Sequence, residues 1–413
     1  MLEDHLKSPV TRRRLLAGPL SPYLALYADA LHAQGYSPIT IDSSLRFLAR
    51  WTDWLRKHGF TADTLVDGLE AYKKALHHTG RLRRANGALV PYVSAASVCI
   101  RVLQEQGVVQ RPPPLPTPLE RWSLLREYCS WMDQHGGLTA GSIELYTRVI
   151  VDIIEVLGED PAAYTAGALR MFVQRRAEPH GVATAKTTVC AMRSFLRYLA
   201  ATGRCSTDMQ DAIPNFAAWR LASVPRFLVQ EDVERVIAAC SAVDALGMRD
   251  SAVILLLARL GLRAGDVAGL KLADVDWNRG QISVSGKNRR KEWLPLPQEV
   301  GDAILVYLKR GRPSLEFTEV FSTIQPPVRP LTRQAVTHVV RSALRRAGVV
   351  APINGAHVLR HSAATTMLRN GVSLSGIGAV LRHRSARTTA HYAKVDFGLL
   401  SEIAQPWPGG TSC

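Results

Sequence analysis

The stretch His357-Val358-Leu359-Arg360-His361-Ser362 decides how the rest of the chain is interpreted. It is followed by Leu381-Arg382-His383-Arg384 and then by the pair His391-Tyr392. Cutting a phosphate diester without a metal requires cations around its oxygens and a positioned nucleophile. Arginine offers a bidentate fork, histidine exchanges protons near neutral pH, and a tyrosine hydroxyl can attack phosphorus. Together these residues indicate chemistry on a phosphodiester.

A second arginine-bearing stretch lies upstream, at Leu260-Gly261-Leu262-Arg263-Ala264-Gly265-Asp266-Val267. It closes an apolar helix and presents Arg263. Taken alone, a His-x-x-Arg pattern is usually a solvated helix face, and a tyrosine near the C-terminus is usually part of the packing. The two stretches in this order are much more specific than either one.

With these residues the chain resembles the tyrosine recombinases, also called phage-type integrases. Leu-Gly-Leu-Arg with an acid three residues later is similar to the family's first box. The second box is matched by His357-x-Leu359-Arg360-His361-Ser362, Leu381-x-His383 and Thr388-Thr389-x-His391-Tyr392. The sequence departs from the family at Arg382, where glycine is usual, and at Asp266, where glutamate is commoner. The departure at Arg382 leaves the backbone geometry before His383 open.

The resemblance implies a role for each matching residue. Tyr392 would attack the scissile phosphorus, form a 3′-phosphotyrosyl link and release a 5′-hydroxyl. Arg263 and Arg360 would stabilise the non-bridging oxygens, and His383 would hydrogen-bond the phosphoryl group. His357 would accept or orient the tyrosine proton. From its position one turn after Arg263, Asp266 is expected to brace a catalytic side chain or a helix end, while His361 and His391 are interpreted as supporting or structural residues.

The basic run that follows Gly286 lies on a predicted hairpin turn. By resemblance, Lys287 matches the family's sheet-turn lysine and would protonate the departing 5′-oxygen. Lysine suits this task because it can lose its proton, whereas arginine almost never does. Arg289, Arg290 and Lys291 are predicted to hold phosphates, and the alternative for the whole run is a solvated turn.

The composition favours a polyanionic partner. The 413 residues include 51 Lys+Arg against 35 Asp+Glu, which gives a net charge of +16. The longest apolar run, residues 252–258, is too short to span a bilayer, so no membrane association is expected. The six cysteines lack metal-like spacing and are predicted to be reduced thiols of a cytoplasmic protein. No metal or other cofactor is expected.

The hydrophobic periodicity predicts a mainly α protein with a small antiparallel sheet. Residues 226–405 are predicted to form the catalytic domain of the tyrosine recombinase fold. Residues 119–205 resemble the family's helical core-binding domain, which implies that they clamp DNA. The remaining boundaries are a loose tail at 1–20, an N-terminal helical module at 21–110, a proline-rich linker at 111–118, an interdomain linker at 206–225 and a tail at 406–413.

The two helical units share a pattern at one constant offset. Gly35, Ser37, Thr40, Ile41 and Arg46 fall opposite Gly137, Thr139, Ser142, Ile143 and Arg148. In both, a small polar residue can cap a helix that shows an arginine on its exposed side, which makes Arg46 and Arg148 candidate DNA contacts. The alternative is that any two capped amphipathic helices look alike. The role of the first unit, DNA binding or assembly, stays open.

These features predict a site-specific DNA recombinase of the integrase type, from a mobile element or phage. It would act on double-stranded DNA as a tetramer, because exchanging two duplexes takes four strand cuts. Whether a second recombinase is needed stays open. Leu399, Leu400 and Ile403 are predicted to dock on a neighbouring protomer, with an in-cis lid as the alternative. The rival functions are a type IB topoisomerase-like relaxing enzyme and an inactive recombinase that only binds DNA.

Overall fold

A computed structural model describes residues 8–83, 89–111, 113, 115–135, 137–216, 224–285, 291–314, 316–383 and 385–395. The described residues of 110–220 form one compact unit, and those of 1–109 and 221–413 fall in the other. Helices dominate both units, and a three-stranded antiparallel sheet lies in the C-terminal region. The predicted fold class, mainly α with a small antiparallel sheet, is confirmed.

The N-terminal region is a set of helices around its own hydrophobic core. The helices are α1 (Pro9–Leu16), α2 (Leu24–Ala33), α3 (Pro38–Lys57), α4 (Leu65–His78) and α5 (Pro91–Glu105). Helix α1 lies within the predicted loose tail. It forms because Ser8 accepts a hydrogen bond from the Thr11 N–H and Pro9 occupies the first turn, and its Leu15 is fully buried.

The unit at 110–220 has a similar order of helices. It contains α6 (Pro118–Arg121), α7 (Ser123–His135), α8 (Ala140–Leu157), α9 (Ala166–Ala177) and α10 (Gly181–Ala201). Tyr128 and Phe195 pack edge to face at its centre, with ring centroids 5.1 Å apart. Each of the two helical sets therefore closes a core of its own.

Helices α3 and α8 begin in the same way. The Ser37 hydroxyl lies 2.9 Å from that of Thr40, and the Thr139 hydroxyl lies 3.0 Å from that of Ser142. One further turn along, each helix carries an exposed ion pair at i,i+4 spacing, Asp42 with Arg46 and Glu144 with Arg148. The parallel noted in the sequence thus extends to hydrogen bonds and ion pairs at the same constant offset.

The C-terminal region surrounds a helix that is apolar on most sides. Its helices are α11 (Gln230–Ala238), α12 (Ala245–Arg259), α13 (Ala264–Ala268), α14 (Gln298–Val306), α15 (Arg333–Arg346), α16 (Ala356–Arg369), α17 (Leu374–Val380) and α18 (Ala386–Thr389). Residues 252–258 of α12 are buried without a break, which places this helix at the centre of the core. A 3₁₀ turn, Ala390–Val395, follows α18.

The sheet consists of β1 (Val275–Asp276), β2 (Gln281–Ser285) and β3 (Lys291–Pro295), paired in that order. Ile282 pairs with Leu294, and both side chains are buried, as the two-residue alternation predicts. The turn between β2 and β3 lies outside the described residues. No helix within the described ranges is long and apolar enough to cross a membrane.

Candidate active site

Four segments of the C-terminal region bring the predicted residues together. Arg263 stands where α12 gives way to α13, and His357, Arg360 and His361 lie in the first turns of α16. His383 follows the end of α17, and Tyr392 lies in the closing 3₁₀ turn. The segments meet through side-chain hydrogen bonds to neighbouring backbone carbonyls and hydroxyls.

Arg360 is buried and bound to two carbonyl oxygens. Its Nη1 donates to Gly261 and its Nη2 to Leu381, each at 2.5 Å. Gly261 has φ +58, and a Cβ there would lie 2.6 Å from a Leu381 methyl group, so any other residue would be strained and would displace Leu381. Burial, reinforced by the positive charge of Arg263, lowers the pKa of Arg360. The guanidinium is thus held by backbone and keeps N–H donors for a further acceptor.

Arg263 is the N-cap of α13 and is half-exposed. Its backbone N–H donates to Asp266 Oδ2 at 3.1 Å, and its Nη2 donates to the carbonyl of Arg382 at 3.2 Å. Asp266 therefore closes the first turn of α13 and lies beside Arg263.

Tyr392 is buried, and its hydroxyl is paired. The Oη lies 2.8 Å from Nδ1 of His361, and the tyrosine ring lies parallel to that of His383. Burial raises the pKa of Tyr392, and Arg360 partly offsets this. Burial, together with the nearby His357, His391 and Arg360, lowers the pKa of His361 to about 4. A neutral His361 can accept a hydrogen bond from the tyrosine hydroxyl at neutral pH.

His357 lies one helical turn before His361 on α16, and its role as acceptor of the tyrosine proton stays a prediction. It lines a cleft with Arg263, Asp266 and Arg333, and its ring centroid lies 6.2 Å from that of His361, one turn along α16. Burial lowers the pKa of His357, and Arg360, Arg333 and Arg263 add to the shift. The histidine that contacts the tyrosine hydroxyl is His361, for which no role was predicted.

His383 is held by a threonine. Its Nδ1 lies 2.8 Å from the Thr389 hydroxyl, and burial with the neighbouring arginines lowers the pKa of His383 to about 4. His383 lines a second cleft together with Arg382 and Arg387. A neutral, oriented imidazole in this position suits a hydrogen bond to a phosphoryl oxygen.

The predicted basic residues of the hairpin are described only in part. Lys287, Arg289 and Arg290 lie outside the described residues. Lys291, at the start of β3, donates from Nζ to Asp274 Oδ1 at 2.9 Å. The side chain of Lys291 is 60% exposed, so this ion pair leaves it accessible.

Arg46 and Arg148, the other predicted DNA contacts, both lie exposed on their helices. Each is paired with the carboxylate one turn earlier, Arg46 with Asp42 at 3.0 Å and Arg148 with Glu144. Exposed pairs of this kind contribute little to stability and open readily. Both arginines therefore remain available to a phosphate.

The described part of the chain contains no group of three or more His, Cys, Asp or Glu residues that could hold a metal ion. Among the described residues, the guanidiniums of Arg263, Arg360, Arg382 and Arg333 bring positive charge to the site. Of these, Arg382 and Arg333 were not predicted as site residues. The four-residue spacing of His357 and His361 was the available signal for His361, because it places both on one helix face.

Comparison with known sequences identifies the family. Residues 226–398 match the model of the phage integrase family. A putative integrase/recombinase of Sinorhizobium fredii is 34% identical over 401 residues, covering 95% of each chain. The tyrosine recombinase XerD of Listeria monocytogenes is 26% identical over 283 residues, covering 66% of this chain and 94% of that protein.

Solved structures share the fold. The recombinase XerH, crystallised in a post-cleavage complex with palindromic difH substrate, has a TM-score of 0.56 at 19% identity, covering 69% of this chain and 84% of that one. A lambda integrase dimer bound to a core site has a TM-score of 0.52 at 18% identity, covering 65% of this chain and 94% of that one. The chain therefore belongs to the phage integrase family of tyrosine recombinases and is a site-specific DNA recombinase.

Proposed function

We propose that this recombinase cuts and rejoins DNA through a 3′-phosphotyrosyl intermediate on Tyr392. The observation that carries the proposal is the hydrogen bond between Tyr392 Oη and His361 Nδ1. It pairs a nucleophile with a neutral base, the arrangement that nucleophilic catalysis requires. Arg263 and Arg360, both fixed by backbone carbonyls at the 381–382 turn, supply cations at the same site.

In the cleavage step a phosphorus–oxygen bond forms to Tyr392 as the bond to the 5′-oxygen breaks. The phenolic proton passes to His361. The leaving 5′-oxygen takes a proton from Lys287, whose role rests on the resemblance alone. Arg263 and Arg360 would hold the non-bridging oxygens, where negative charge increases in the transition state. His383 would donate a hydrogen bond to an oxygen of the same phosphoryl group, and His357 would lie on the Arg263 side of it.

In the rejoining step the 5′-hydroxyl of another strand attacks the phosphotyrosine. The proton then returns to Tyr392, and the phosphodiester is restored. Because the phosphotyrosyl bond retains the free energy of the broken bond, rejoining requires no ATP. The same side chains serve both directions.

Two features support a role in moving DNA segments. The Sinorhizobium fredii relative, which matches nearly the whole chain, is described as an integrase/recombinase. A transposon integrase, Tn1549, solved with a circular intermediate DNA, shares the fold at a TM-score of 0.52 and 15% identity. We infer an enzyme of a mobile element or phage, acting in the cytoplasm on double-stranded DNA as a tetramer on synapsed sites. Docking of the tail at 399–403, which lies outside the described residues, belongs to the same proposal.

The N-terminal helices are proposed to contact DNA as well. Helix α3 repeats the start of α8 in its capping hydroxyls, its carboxylate and its arginine. The resemblance of residues 119–205 to a DNA-clamping domain therefore extends, by this parallel, to α3. Arg46 would occupy the position on the first unit that Arg148 occupies on the second.

Sequencing the DNA trapped covalently on the protein in its native host tests the proposed function. A recombinase gives adducts at one short sequence and its partner site. Adducts spread over many unrelated sequences would instead indicate a DNA-relaxing enzyme, and the absence of any adduct would indicate a protein that only binds DNA.

A further inference from the structure

The turn after α17 places a non-glycine residue in the left-handed region. Arg382 has φ +54, the only positive φ among the described non-glycine residues. Its N–H donates to the carbonyl of Ala379 at 3.0 Å, and the N–H of His383 donates to the carbonyl of Gly378 at 2.9 Å. These two bonds make the C-terminal cap at which glycine is normally preferred, because a Cβ is strained there.

The same turn holds both arginines of the site. The carbonyl of Leu381 accepts from Arg360 Nη2 at 2.5 Å, and the next carbonyl, that of Arg382, accepts from Arg263 Nη2 at 3.2 Å. The backbone conformation at 381–382 therefore sets where the two guanidiniums lie. Glycine at position 382 would be sufficient for this part of the geometry.

The side chain of Arg382 adds a link that glycine cannot provide. Its Nη2 donates to Asp266 Oδ2 at 2.5 Å, and the same oxygen accepts the backbone N–H of Arg263 at 3.1 Å. Arg263, Asp266 and Arg382 thus form a closed ring of three contacts, in which Arg263 is tied at its backbone and at its guanidinium. The side chain of Arg382 is only 2% exposed and that of Asp266 14%.

Two features of Arg382 in this arrangement lower the stability of the folded state. The Nε and Nη1 atoms of Arg382 are buried and have no hydrogen-bond partner within the described residues. Unpaired buried donors and a strained φ each disfavour an arginine at this position. Costs of this kind are typical of residues whose contribution is to function.

We propose that Arg382 is a positioning residue for DNA cleavage, which fixes Arg263 against the scissile phosphate through Asp266 and through its own carbonyl. The inference rests on the proposed function, because it takes Arg263 as a ligand of the phosphate. The two departures of this sequence from its family, Arg382 and Asp266, are on this account a single feature, since each is the other's partner.

Two substitutions separate positioning from folding. Arg382→Gly removes the link and relieves the backbone strain, so Tm should stay the same or rise while adduct formation on a suicide substrate slows about 10- to 100-fold. Arg382→Lys keeps a cation near Asp266, so it should form the adduct faster than Arg382→Gly. It also keeps the backbone strain, so its Tm should be no higher than that of Arg382→Gly. A wild-type rate in Arg382→Gly, or rates that follow the order of Tm, would overturn the proposal.

A double-mutant cycle tests whether Arg382 acts through Arg263. Arg263→Lys disturbs the proposed bidentate contact between Arg263 and the phosphate. In this background Arg382→Gly should slow adduct formation only slightly further, because both substitutions affect the same contact. Fully additive losses would show that Arg382 acts independently of Arg263 and would refute the positioning role. If Arg263→Lys cleaves at the wild-type rate, the phosphate role of Arg263 itself fails, which is a failure of the proposed function.

A charge control completes the set. Arg345→Ala removes one positive charge from an exposed position near the end of α15. Arg382→Gly should weaken DNA binding no more than Arg345→Ala does, because Arg382 is buried and its proposed effect is on the rate of cleavage. A much larger loss of DNA affinity in Arg382→Gly than in Arg345→Ala would overturn the assignment, because it would make Arg382 a DNA-binding residue.

Discussion

The Nδ1 atom of His361 lies 2.8 Å from the hydroxyl oxygen of Tyr392, thirty-one positions along the chain. The contact joins the first turns of α16 to the 3₁₀ turn that closes the described structure. It gives the buried hydroxyl a neutral acceptor and makes His361, one turn after His357, the residue best placed to take its proton.

Replacing His361 should therefore slow cleavage in a way that depends on pH. At pH 7 the imidazole is neutral because its pKa is lowered to about 4, so it acts as an acceptor until the pH falls through that value. His361→Ala should reduce the rate of adduct formation about 100-fold at neutral pH. The difference in rate between His361→Ala and the wild type should decrease as the pH rises, because a larger fraction of Tyr392 is then phenolate and needs no base to take its proton.

Single-turnover rates from about pH 6 to pH 10 measure this effect, because burial raises the pKa of Tyr392 and the phenolate fraction therefore still increases with pH throughout this range. His357→Ala serves as the comparison, since His357 lines the Arg263 cleft and its loss should leave the shape of the profile unchanged. A deficit in His361→Ala that is constant across the range would assign His361 a structural role.

Lys287→Ala should slow cleavage of a normal phosphodiester about 100-fold or more, the range expected for loss of a general acid. The cleavage rate of Lys287→Ala should recover on a substrate with a 5′-bridging sulfur at the scissile position, because a thiolate leaves without protonation. Lack of rescue by sulfur would make Lys287 a phosphate anchor and leave the acid to be sought among Arg289, Arg290 and Lys291.

Cleavage should survive EDTA. The described residues offer no cluster for a metal ion, and the guanidiniums of Arg263 and Arg360 supply the positive charge that a metal would otherwise provide. Adduct yields with and without chelator, on the same suicide substrate, are the measurement. Loss of the adduct with EDTA and its return with magnesium would contradict the arginine-based account.

Arg46→Glu should weaken DNA binding and reduce its salt dependence, because one phosphate contact is lost and replaced by repulsion. Arg56 provides a matched control on the same helix. Its side chain is 53% exposed against 54% for Arg46, and it is likewise paired with an aspartate one turn earlier. Arg56 has no counterpart in the second unit, where Gly158 stands at the same offset.

DNA-binding titrations of both variants at several salt concentrations distinguish a specific phosphate contact of Arg46 from a general effect of net charge. The proposal predicts a larger loss for Arg46→Glu than for Arg56→Glu. Equal losses would show a general effect of net charge and would remove the argument for a DNA contact on α3.

The fold class could be predicted from the sequence because its signals are local. The unbroken apolar run in α12 and the alternation of Ile282 and Val284 each depend on a few neighbouring residues. The boundary of the first helix was harder to place, since Pro9 and the basic residues after it are compatible with a tail. Only the burial of Leu15 shows that α1 is part of the core.

The site could be predicted as a set of residues but not as a network. The motifs name Arg263, Arg360 and Tyr392, yet the ion pair between Arg382 and Asp266 joins positions 116 apart. The residue itself gives no signal for a positive φ at Arg382, because arginine rarely adopts one, and the only hint is the glycine that is usual there in the family. Likewise, which of two histidines on one helix face meets the tyrosine depends on where the 3₁₀ turn packs.

The most direct test of the central claim is the behaviour of Tyr392→Phe. Removing one hydroxyl deletes the proposed nucleophile and leaves every basic DNA contact in place. On a suicide substrate nicked near the cleavage point, the variant should bind DNA with wild-type affinity and give no covalent adduct on a denaturing gel. A persistent adduct with Tyr392→Phe would place the nucleophile elsewhere and contradict the account.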